Sequence, residues 1–598
     1  MSYLDVPRIC VSGRFYTDPS TVDNDPVHYI DDDAPPSPWQ MPEGKHEFKL
    51  DRCSVQSVRD ATGANLDDPV LVGAEVVSLD RPIAAKLADL DVYQQGVSTV
   101  HGLQIIIKLG DQARLVGLMD AASLNGAQFN VVLPKRSWAD YGSDGSASYG
   151  GDSFARGTFQ SVLRVPEASW PATESTVLAQ LKGASAVVDG NVILSIKFTL
   201  DGYINNPVDP NCSLGRFIAA IGPGSAAEPP SSAADRWLAA VPPPGNSAPW
   251  YQPAFYSAPF KVNAARKVLS IDLSNSISTV EIGGTFVDLG TFNAVLGDPA
   301  KTVIGPVPFS EAVYKTGGGI CDLPLTDAQV AGLEHYPLGL VSSGALFGTQ
   351  TPLAEDPSGL LLAAVDRVLR VPGALRSTVT ARVFASRWGV PADDLALGVA
   401  VVSVHGNTPG ATVPPSNPGN THQADGAITA TITPTDASGH AIITITVLKD
   451  PGFRTKLLDG QLYFIYPYVG ADPGIANVPQ ERVISCLAWS DYPVKTSPTF
   501  ADVQVLLKPY VKLFPAMKAI INLTDETAFR LYAAGPPFAA LGHPGLVVLD
   551  RITGGAIPLV LSRDPGNDAS YMPLTRDLSP NRIATILHYI QNSYFPTP

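Results

Sequence analysis

The chain has little charge for its length. Only 16% of its 598 residues are charged, and together they give a net charge of −15. Lys and Arg form no basic stripe, which argues against a nucleic-acid partner because its phosphates would be repelled. No run approaches the ~20 apolar residues of a membrane span, and the start lacks the features of a secretory signal. We therefore expect no nucleic-acid or membrane partner and a cytoplasmic location.

Cysteine is also scarce. The five cysteines are odd in number, widely separated and never spaced as Cys-x-x-Cys, which favours reduced structural thiols over a disulfide framework. The nine histidines form no pair at metal-ligand spacing. These absences predict no metal site and no cofactor.

What the chain does contain is typical of a folded β protein. Hydrophobic residues make up 45% of it, and 52 Gly and 54 Pro interrupt it at short intervals. Short runs rich in β-branched residues predict strands, and apolar residues at every second position from Val192 to Leu200 predict one buried strand face. We predict a mainly β, multi-domain protein: a β-sandwich or β-sheet body with a small C-terminal helical region.

Composition shifts divide the chain into four parts. The predicted parts are an N-terminal β-rich domain (1–225), a second β-rich domain with short helices (226–405), a small β-sandwich-like unit (421–498) and a helical C-terminal region (499–598). The Pro/Gly-rich segment 406–420 is the predicted linker. Within the second part we predict short helices over Ala233–Ala240 and Leu325–Leu333, and a strand over Ser278–Leu289.

A structural motif precedes the last helix. Ser579 is a good N-cap, and Pro580 suits the first helical position because its missing N–H would be unpaired there. Apolar residues then recur at helical spacing. Arg576 and Asp577 lie just before the cap, where we expect them to fix the entering chain.

Several strings resemble the large N-terminal region of the violacein-pathway family whose members dimerise indole-pyruvate imines (iminophenyl-pyruvate dimer synthase type), and its stand-alone relatives. They occur in the same order over nearly the whole chain: Tyr3–Ile9, Gly13–Phe15, Ser20–Pro26, Leu87–Asp91, Gln94–Gln95, His101–Gln104, Asp459–Tyr463 and Met572–Ser579. The resemblance implies a role in specialised metabolism without naming a reaction.

One departure limits what the resemblance implies. In that family, oxidative chemistry is attributed to a C-terminal ferritin-like domain, whose long helices carry Glu-x-x-His metal ligands. The only such spacing here is Glu43–His46, in a Pro/Gly-rich stretch that cannot hold a long helix. We therefore expect no di-metal site and do not carry imine coupling over to this chain.

The strongest polar constellation lies within the resembling strings. Two carboxylates and two amides occur within seven residues and lead into a strand near His101; such carboxylates could share a proton or hold a cation. Equally, Asp side chains cap turns and Gln amides satisfy backbone groups. The candidate ligand-binding residues are Asp89, Asp91, Gln94, Gln95, His101, Arg8 and Arg14.

Two further motifs are weaker. Gly151–Phe154 resembles the nucleophile block of a lipase-like hydrolase family, but it lies inside a Gly/Ser-rich loop and has no downstream Asp-x-x-His partner. Lys315–Gly319 has glycines that could hold an anion, yet it lacks Walker spacing. We predict that Lys315–Gly319 forms a plain turn. A serine hydrolase that uses Ser153 is the least favoured of the functional hypotheses.

No recognisable catalytic motif decides whether the chain is an enzyme. One hypothesis is a small-molecule-binding body, or a non-metal partner of a separate catalytic or ferritin-like subunit, in specialised-metabolite biosynthesis. The alternative is a non-catalytic β-rich structural, assembly or interaction protein, for which a homo-oligomer is expected. A deep cleft lined by Asp89, Asp91, Arg8 and aromatic residues would favour the first, and a flat apolar patch the second.

Overall fold

The computed structural model describes residues 2–17, 47–78, 85–89, 98–110, 112–128, 156–204, 208–229, 236–241, 256–277, 279, 283–286, 288–343, 350–403, 426–452, 459–513, 522–533 and 576–594. The prediction of a mainly β fold is confirmed, since three bodies of β-sheet precede a few helices. Across the described parts of the chain, the helices are too short or too polar to cross a lipid bilayer.

The first unit is a sheet that closes on itself. Its strands are β1 (Arg8–Thr17), β2 (Phe48–Arg59), β3 (Asn65–Leu66), β4 (Glu75–Val77), β5 (Lys86–Asp89), β6 (Ser98–His101), β7 (Gln104–Leu109), β8 (Ala113–Met119), β9 (Ala122–Gln128), β10 (Arg156–Pro166), β11 (Val187–Val188), β12 (Asn191–Asp201) and β13 (Leu214–Pro223). Neighbouring strands pair in the circular order β12-β13-β1-β2-β4-β7-β8-β10-β12. The ring encloses an apolar core.

Helix α1 (Thr176–Ala184) closes part of this core, to which it contributes Val177, Leu178 and Leu181. Ser175 caps the helix by accepting a hydrogen bond from the Leu178 N–H, and its hydroxyl donates to Asp68 Oδ2 at 2.7 Å. The cap therefore fixes the helix to a turn of the sheet.

The second unit is an eight-stranded sheet with its own core. Its elements are β14 (Arg236–Ala240), β15 (Ala258–Asn263), β16 (Val268–Asp272), β17 (Phe292–Leu296), β18 (Val303–Pro306), α2 (Glu311–Thr316), β19 (Ile320–Pro324), α3 (Asp327–Leu333), β20 (Leu338–Ser342) and β21 (Gln350–Glu355). The predicted helix over Leu325–Leu333 is confirmed as α3, which begins with a capping box between Thr326 and Gln329.

Two predictions in this unit are wrong. The described part of the predicted helix over Ala233–Ala240 is strand β14, because pairing with β15 and β21 overrides its helical propensity. The predicted strand over Ser278–Leu289 is absent from its described residues, which form only an isolated bridge between Thr279 and Phe286. Gly283 and Gly284 interrupt that segment, and glycine disfavours regular strand pairing.

The third unit is a sandwich of two sheets. Its strands are β22 (Leu360–Ala364), β23 (Val368–Val371), β24 (Thr378–Arg387), β25 (Val390–Pro391), β26 (Gly398–Ser403), β27 (Ile428–Ile432), β28 (His440–Val447), β29 (Gln461–Tyr468) and β30 (Ile484–Ala488). One sheet has the order β22-β24-β28-β27 and the other β23-β30-β29-β26; both contribute to one core. The strands of this sandwich come from both sides of segment 406–420, that is, from two of the predicted parts, 226–405 and 421–498.

Three helices follow the sandwich: α4 (Phe500–Leu513), α5 (Glu526–Ala533) and α6 (Pro580–Tyr594). Ser579 caps α6 as predicted, since its Oγ accepts from the Arg582 N–H at 3.4 Å and its carbonyl accepts from Ile583. Phe500, Phe529 and Tyr589, one from each helix, pack their rings against one another.

Candidate functional site

Strand β12 has two different faces, and both are buried. The inner face carries Leu194, Ile196, Phe198 and Leu200 into the apolar core. The outer face carries polar side chains that are also at most 1% exposed: Ser195, Lys197, Thr199 and Asp201. The second unit covers this outer face and meets it with polar groups of its own. This polar surface, buried between two sheets, is the best candidate for a functional site among the described residues.

At the centre of this surface Lys197 meets Asp272, the last residue of β16. The Lys197 Nζ lies 3.0 Å from Asp272 Oδ1 and 2.9 Å from Oδ2. The Tyr3 hydroxyl donates to Oδ2 at 2.8 Å, and the Ser274 N–H donates to Oδ1 at 3.0 Å. Lys197 also contacts Ser274 Oγ. We call Tyr3, Lys197, Asp272 and Ser274 the central joint.

The charge state of this joint follows from burial. Burial lowers the pKa of the Lys197 ammonium, and the Asp272 carboxylate offsets part of that effect. Since Asp272 contacts the ammonium directly and accepts two further hydrogen bonds, we assign an ion pair. A lysine held this way is a poor general base. The joint is therefore suited to fixing two units together.

The glycine run after α2 makes the close approach at this joint feasible. The run Lys315–Gly319 ends the helix and turns the chain, in agreement with the predicted turn. Gly319 has a φ of +76°, and a Cβ atom there would lie 2.6 Å from the Cβ of Ser274. Only glycine satisfies both constraints. The motif serves packing against the central joint.

A second charged cluster lies farther along the same outer face. Asp201 stands between Arg156 on β10 and Arg216 on β13, its directly paired neighbours. Arg216 Nε lies 2.5 Å from Asp201 Oδ1, and Tyr314 of α2 donates its hydroxyl to Oδ2. Burial raises the pKa of Tyr314 well above its usual range, and the Asp201 charge adds to this effect. Arg156 reaches into the second unit, where its Nη1 donates to the Ile277 carbonyl at 2.5 Å.

The predicted site residue Arg8 belongs to a third contact between these units. Its Nη1 donates to Asp322 Oδ2 at 3.1 Å, and Arg59 Nε lies 3.2 Å from the same oxygen. Ser270 donates to the other oxygen at 2.5 Å. Burial acts to raise the pKa of Asp322, but the two guanidinium charges and the hydroxyl outweigh it, so that the pKa is lowered. Arg8 is 1% exposed, and its guanidinium donates to the carbonyls of Leu4 and Asp5 as well as to Asp322.

The third unit joins the other two through a buried carboxyl. Ser257, just before β15, donates to Glu481 Oε1 at 3.0 Å. Burial raises the pKa of Glu481, and nearby Arg367 offsets part of the effect. Arg367 donates to the carbonyls of Val483 in its own unit and of Leu124 in the first unit. Polar side chains therefore connect all three units.

The C-terminal helices are fixed to the sandwich by a comparable set, which we call the C-terminal joint: Asp459, Tyr510, Asp577 and Arg582. Arg582 Nε lies 2.9 Å from Asp459 Oδ2. The Tyr510 hydroxyl donates to Asp577 Oδ1 at 2.9 Å, and the Asp577 carbonyl accepts from Trp489 Nε1 at 2.5 Å. The neighbouring Arg576 has a φ of +51°, and its carbonyl accepts from Arg370 Nε at 2.6 Å.

The remaining predicted site residues do not join these clusters in the described structure. His101 lies on β6 and is 6% exposed, opposite Lys86 of β5. Ala85, just before β5, bridges to Phe48, which pairs with Thr17. The β5–β6 pair, with His101, thus lies beside one end of β1. Arg8 lies at the other end of β1, roughly 30 Å away at the usual rise per residue.

Arg14 is partly exposed, and its Nη2 donates to Asn211 Oδ1 at 3.1 Å. Asp89 is the last residue of β5, but its side chain lies outside the described structure. Asp91, Gln94 and Gln95 lie outside the described residues altogether. A ligand site formed by these residues stays a prediction.

Two of the buried cysteines are unsuited to nucleophilic chemistry. Burial raises the pKa of both Cys53 and Cys486 to about 12, so these thiols remain protonated and are poor nucleophiles. Within the described ranges no three His, Cys, Asp or Glu side chains come together as a metal site. Glu43–His46 and Ser153 lie outside those ranges.

Comparison with known proteins leaves the family undecided: no protein-family model and no curated protein matches this sequence. The resemblance to the violacein-pathway family therefore stays a prediction. The residues of the central joint other than Tyr3 lie outside the resembling strings. Only Lys197 carried a signal, the polar residues alternating along β12, and that pattern by itself predicts a solvent-facing side.

Proposed function

We propose that this protein works in specialised-metabolite biosynthesis as the non-metal partner of a separate catalytic subunit. In this role the chain is a rigid body that holds and positions that subunit, which supplies the reaction chemistry. A small ligand bound by the body is compatible with the same role. The proposal combines the resemblance with the way the units are joined.

One observation carries the proposal. The described residues of the resembling strings include Tyr3, Arg8, Asp459 and Asp577, and each of them connects two parts of the fold. Residues shared for a reaction are expected to converge on a cleft. These four residues lie instead at contacts between parts of the fold, whereas Arg14 and His101 of the same strings pair with residues of the first unit itself. Contacts between parts of the fold are the pattern expected if relatives share a rigid body.

The joints also suit a positioning role physically. Interfaces between domains of one chain are commonly loose and permit relative motion. Here buried charges are paired across the contacts, and separating the units would leave those charges unpaired in an apolar setting. The units are therefore expected to move as one body, which gives a bound subunit a fixed reference surface.

Native mass spectrometry with metal analysis on protein purified from its own host tests the proposal. The expected result is a complex heavier than the 63.0 kDa chain, in which a second polypeptide carries the metal. The matched control is the same chain produced recombinantly without host partners, which is expected to be metal-free. A host preparation that contains only this chain, without metal or second polypeptide, would contradict the proposal.

A second candidate function, assembly with copies of itself, is favoured by one surface. The outer face of strands β24, β28 and β27 carries two rows of threonines in register: Thr378, Thr446 and Thr429, then Thr380, Thr444 and Thr431. Ile442 and Leu448 lie on the same side of β28 and are 38% and 51% exposed. Arg382, directly opposite Ile442, adds a charge to this face, and that charge is paired with Asp366 at 2.7 Å. A sheet face with exposed apolar side chains is typical of contact surfaces.

Sedimentation velocity separates the two candidates. If the face mediates self-assembly, the wild type sediments as an oligomer and Leu448→Glu dissociates it, because a charge is introduced into the contact. Val303→Glu is the matched control, since Val303 is 57% exposed in the second unit, away from this face. An unchanged oligomer in Leu448→Glu, or a monomeric wild type, would reject this second candidate.

A further inference from the structure

A cavity lies where the three β units meet, next to the central joint. Its wall includes residues from each unit: Tyr3, Gln160, Lys197, Trp237, Asp272 and Glu481. The space admits a molecule of the size of water, and it is far smaller than the pockets that hold organic metabolites. Most of the residues in the wall carry polar groups, although apolar atoms make up most of the surface that faces the space. A buried water molecule needs only about two to four polar partners.

The side chain of Gln160 indicates which kind of group the cavity can hold. It lies on β10 directly opposite Lys197 and is 1% exposed. Its Nε2 has no hydrogen-bond partner among the described protein atoms. A buried amide donor without an acceptor costs free energy, and native proteins nearly always satisfy such groups. The donor therefore points to an acceptor in the cavity that is not part of the protein.

The neighbouring groups define the chemistry of that acceptor. Both oxygens of Asp272 are occupied, by Tyr3, Lys197 and the Ser274 N–H. The charge of Lys197 is balanced by Asp272, and Glu481 adds a second carboxyl to the wall. An anion would face these carboxyls without a free positive charge of its own. A neutral acceptor of minimal size fits the site better.

We propose that the cavity holds an ordered water molecule, which accepts a hydrogen bond from Gln160 Nε2 and forms part of the contact between the three β units. The inference goes beyond the proposed function and does not depend on it. Buried water that satisfies otherwise unpaired polar groups behaves as a structural component of a protein.

A crystal structure of the full chain, with a parallel bromide soak, tests the assignment directly. The expected result is a density peak within hydrogen-bond distance of Gln160 Nε2 that gives no anomalous signal after the soak. An anomalous bromide peak at this position would replace the water by an anion and overturn the proposal. An empty cavity at a resolution that shows other buried waters would also overturn it.

Unfolding equilibria give an independent test through the sign of the effect. Gln160→Met removes the donor with little change in length. If water is bound there, the variant is expected to lower the folding equilibrium constant about tenfold, because the water loses a partner. If the cavity is dry, the same substitution removes an unsatisfied donor and should leave stability unchanged or raise it.

Ser195→Ala is the matched control for that measurement. Ser195 lies on the same outer face of β12, is fully buried, and its Oγ has no partner among the described atoms. It does not line the cavity. Its substitution is expected to leave the folding equilibrium within about twofold of the wild type or to increase it. A loss in Ser195→Ala equal to that in Gln160→Met would contradict the cavity as the cause.

Discussion

In the central joint, the charged partners come from separate units, and the Lys197 and Asp272 side chains are 2% and 1% exposed. In the C-terminal joint, two of the four residues belong to one short segment, and Arg582 and Asp459 are each 6% exposed. The first joint connects two large sheets, whereas the second fixes one terminal helix. Both joints contain a buried ion pair supported by hydrogen bonds, but the pair in the central joint is less exposed than the pair in the C-terminal joint.

This difference teaches what buried charges contribute here. Removing two charges from water costs free energy that their attraction only partly returns, so an ion pair adds little net stability compared with apolar packing. Loss of one partner is far more costly because the other stays buried and unpaired. The pairs therefore specify how the units fit together, and this effect should grow with depth.

The largest effect is expected in the central joint. Asp272→Ala leaves the Lys197 ammonium and the Tyr3 hydroxyl without their acceptor, and we expect the free energy of unfolding to fall by roughly 3–5 kcal/mol. Urea denaturation measures this change. The control is the double variant Lys197→Met/Asp272→Leu, which removes both charges and is expected to recover most of the loss. A double variant as unstable as Asp272→Ala would show that the pair itself stabilises the fold.

A smaller, local effect is expected in the C-terminal joint. Asp459→Asn leaves Arg582 with a weaker acceptor, at an expected cost of about 2 kcal/mol. Because Arg582 lies on α6 and this joint is remote from the first unit, hydrogen exchange should accelerate in α6 and remain unchanged in β12. Equal acceleration in both elements would contradict the local character of this joint.

The stability that the Arg8–Asp322–Arg59 contact contributes should depend on pH. The pKa of Asp322 is lowered in the folded state, so its contribution to stability is present above the unfolded-state pKa of about 3.9 and is lost as pH falls below it. Between about pH 6 and about pH 3, a range that spans this unfolded-state pKa, the urea midpoint should fall more steeply for the wild type than for Asp322→Asn. Parallel curves would show that Asp322 is not the group responsible.

The smallest effect is expected where the same pairing is exposed. Lys267 and Asp327 form an ion pair at 2.8 Å, with side chains 48% and 84% exposed. Lys267→Ala should change the free energy of unfolding by less than about 0.5 kcal/mol, because solvent screens the charges. A loss comparable to that of Asp459→Asn would mean that depth does not set the size of these effects.

Much of the fold could be predicted from local patterns. Alternating apolar residues marked the inner face of β12, and Ser579 with Pro580 marked the start of α6, because each signal lies within a few residues. The wrong helix over Ala233–Ala240 shows the limit. Its composition favours a helix, but pairing with β15 and β21 decides its structure, and those partners lie far away in the sequence.

The central joint could not be predicted for the same reason. Polar residues alternating along β12 normally indicate a side that faces solvent, and only the presence of the second unit makes them buried. Asp272 and Ser274 carry no motif of their own. Of the sequence candidates, Asp577 belongs to the C-terminal joint, Arg576 lies next to it, and Arg8 forms the third contact between the first two units. Tyr3 of the central joint is in a resembling string.

The central claim is that the paired charges make the β units one cooperative body. Pulsed hydrogen exchange across a urea transition tests it most directly, with β12 reporting the first unit, β16 the second and β24 the third. The account predicts a single midpoint for all three strands in the wild type. Separate midpoints, with one unit folded while another is open, would contradict it.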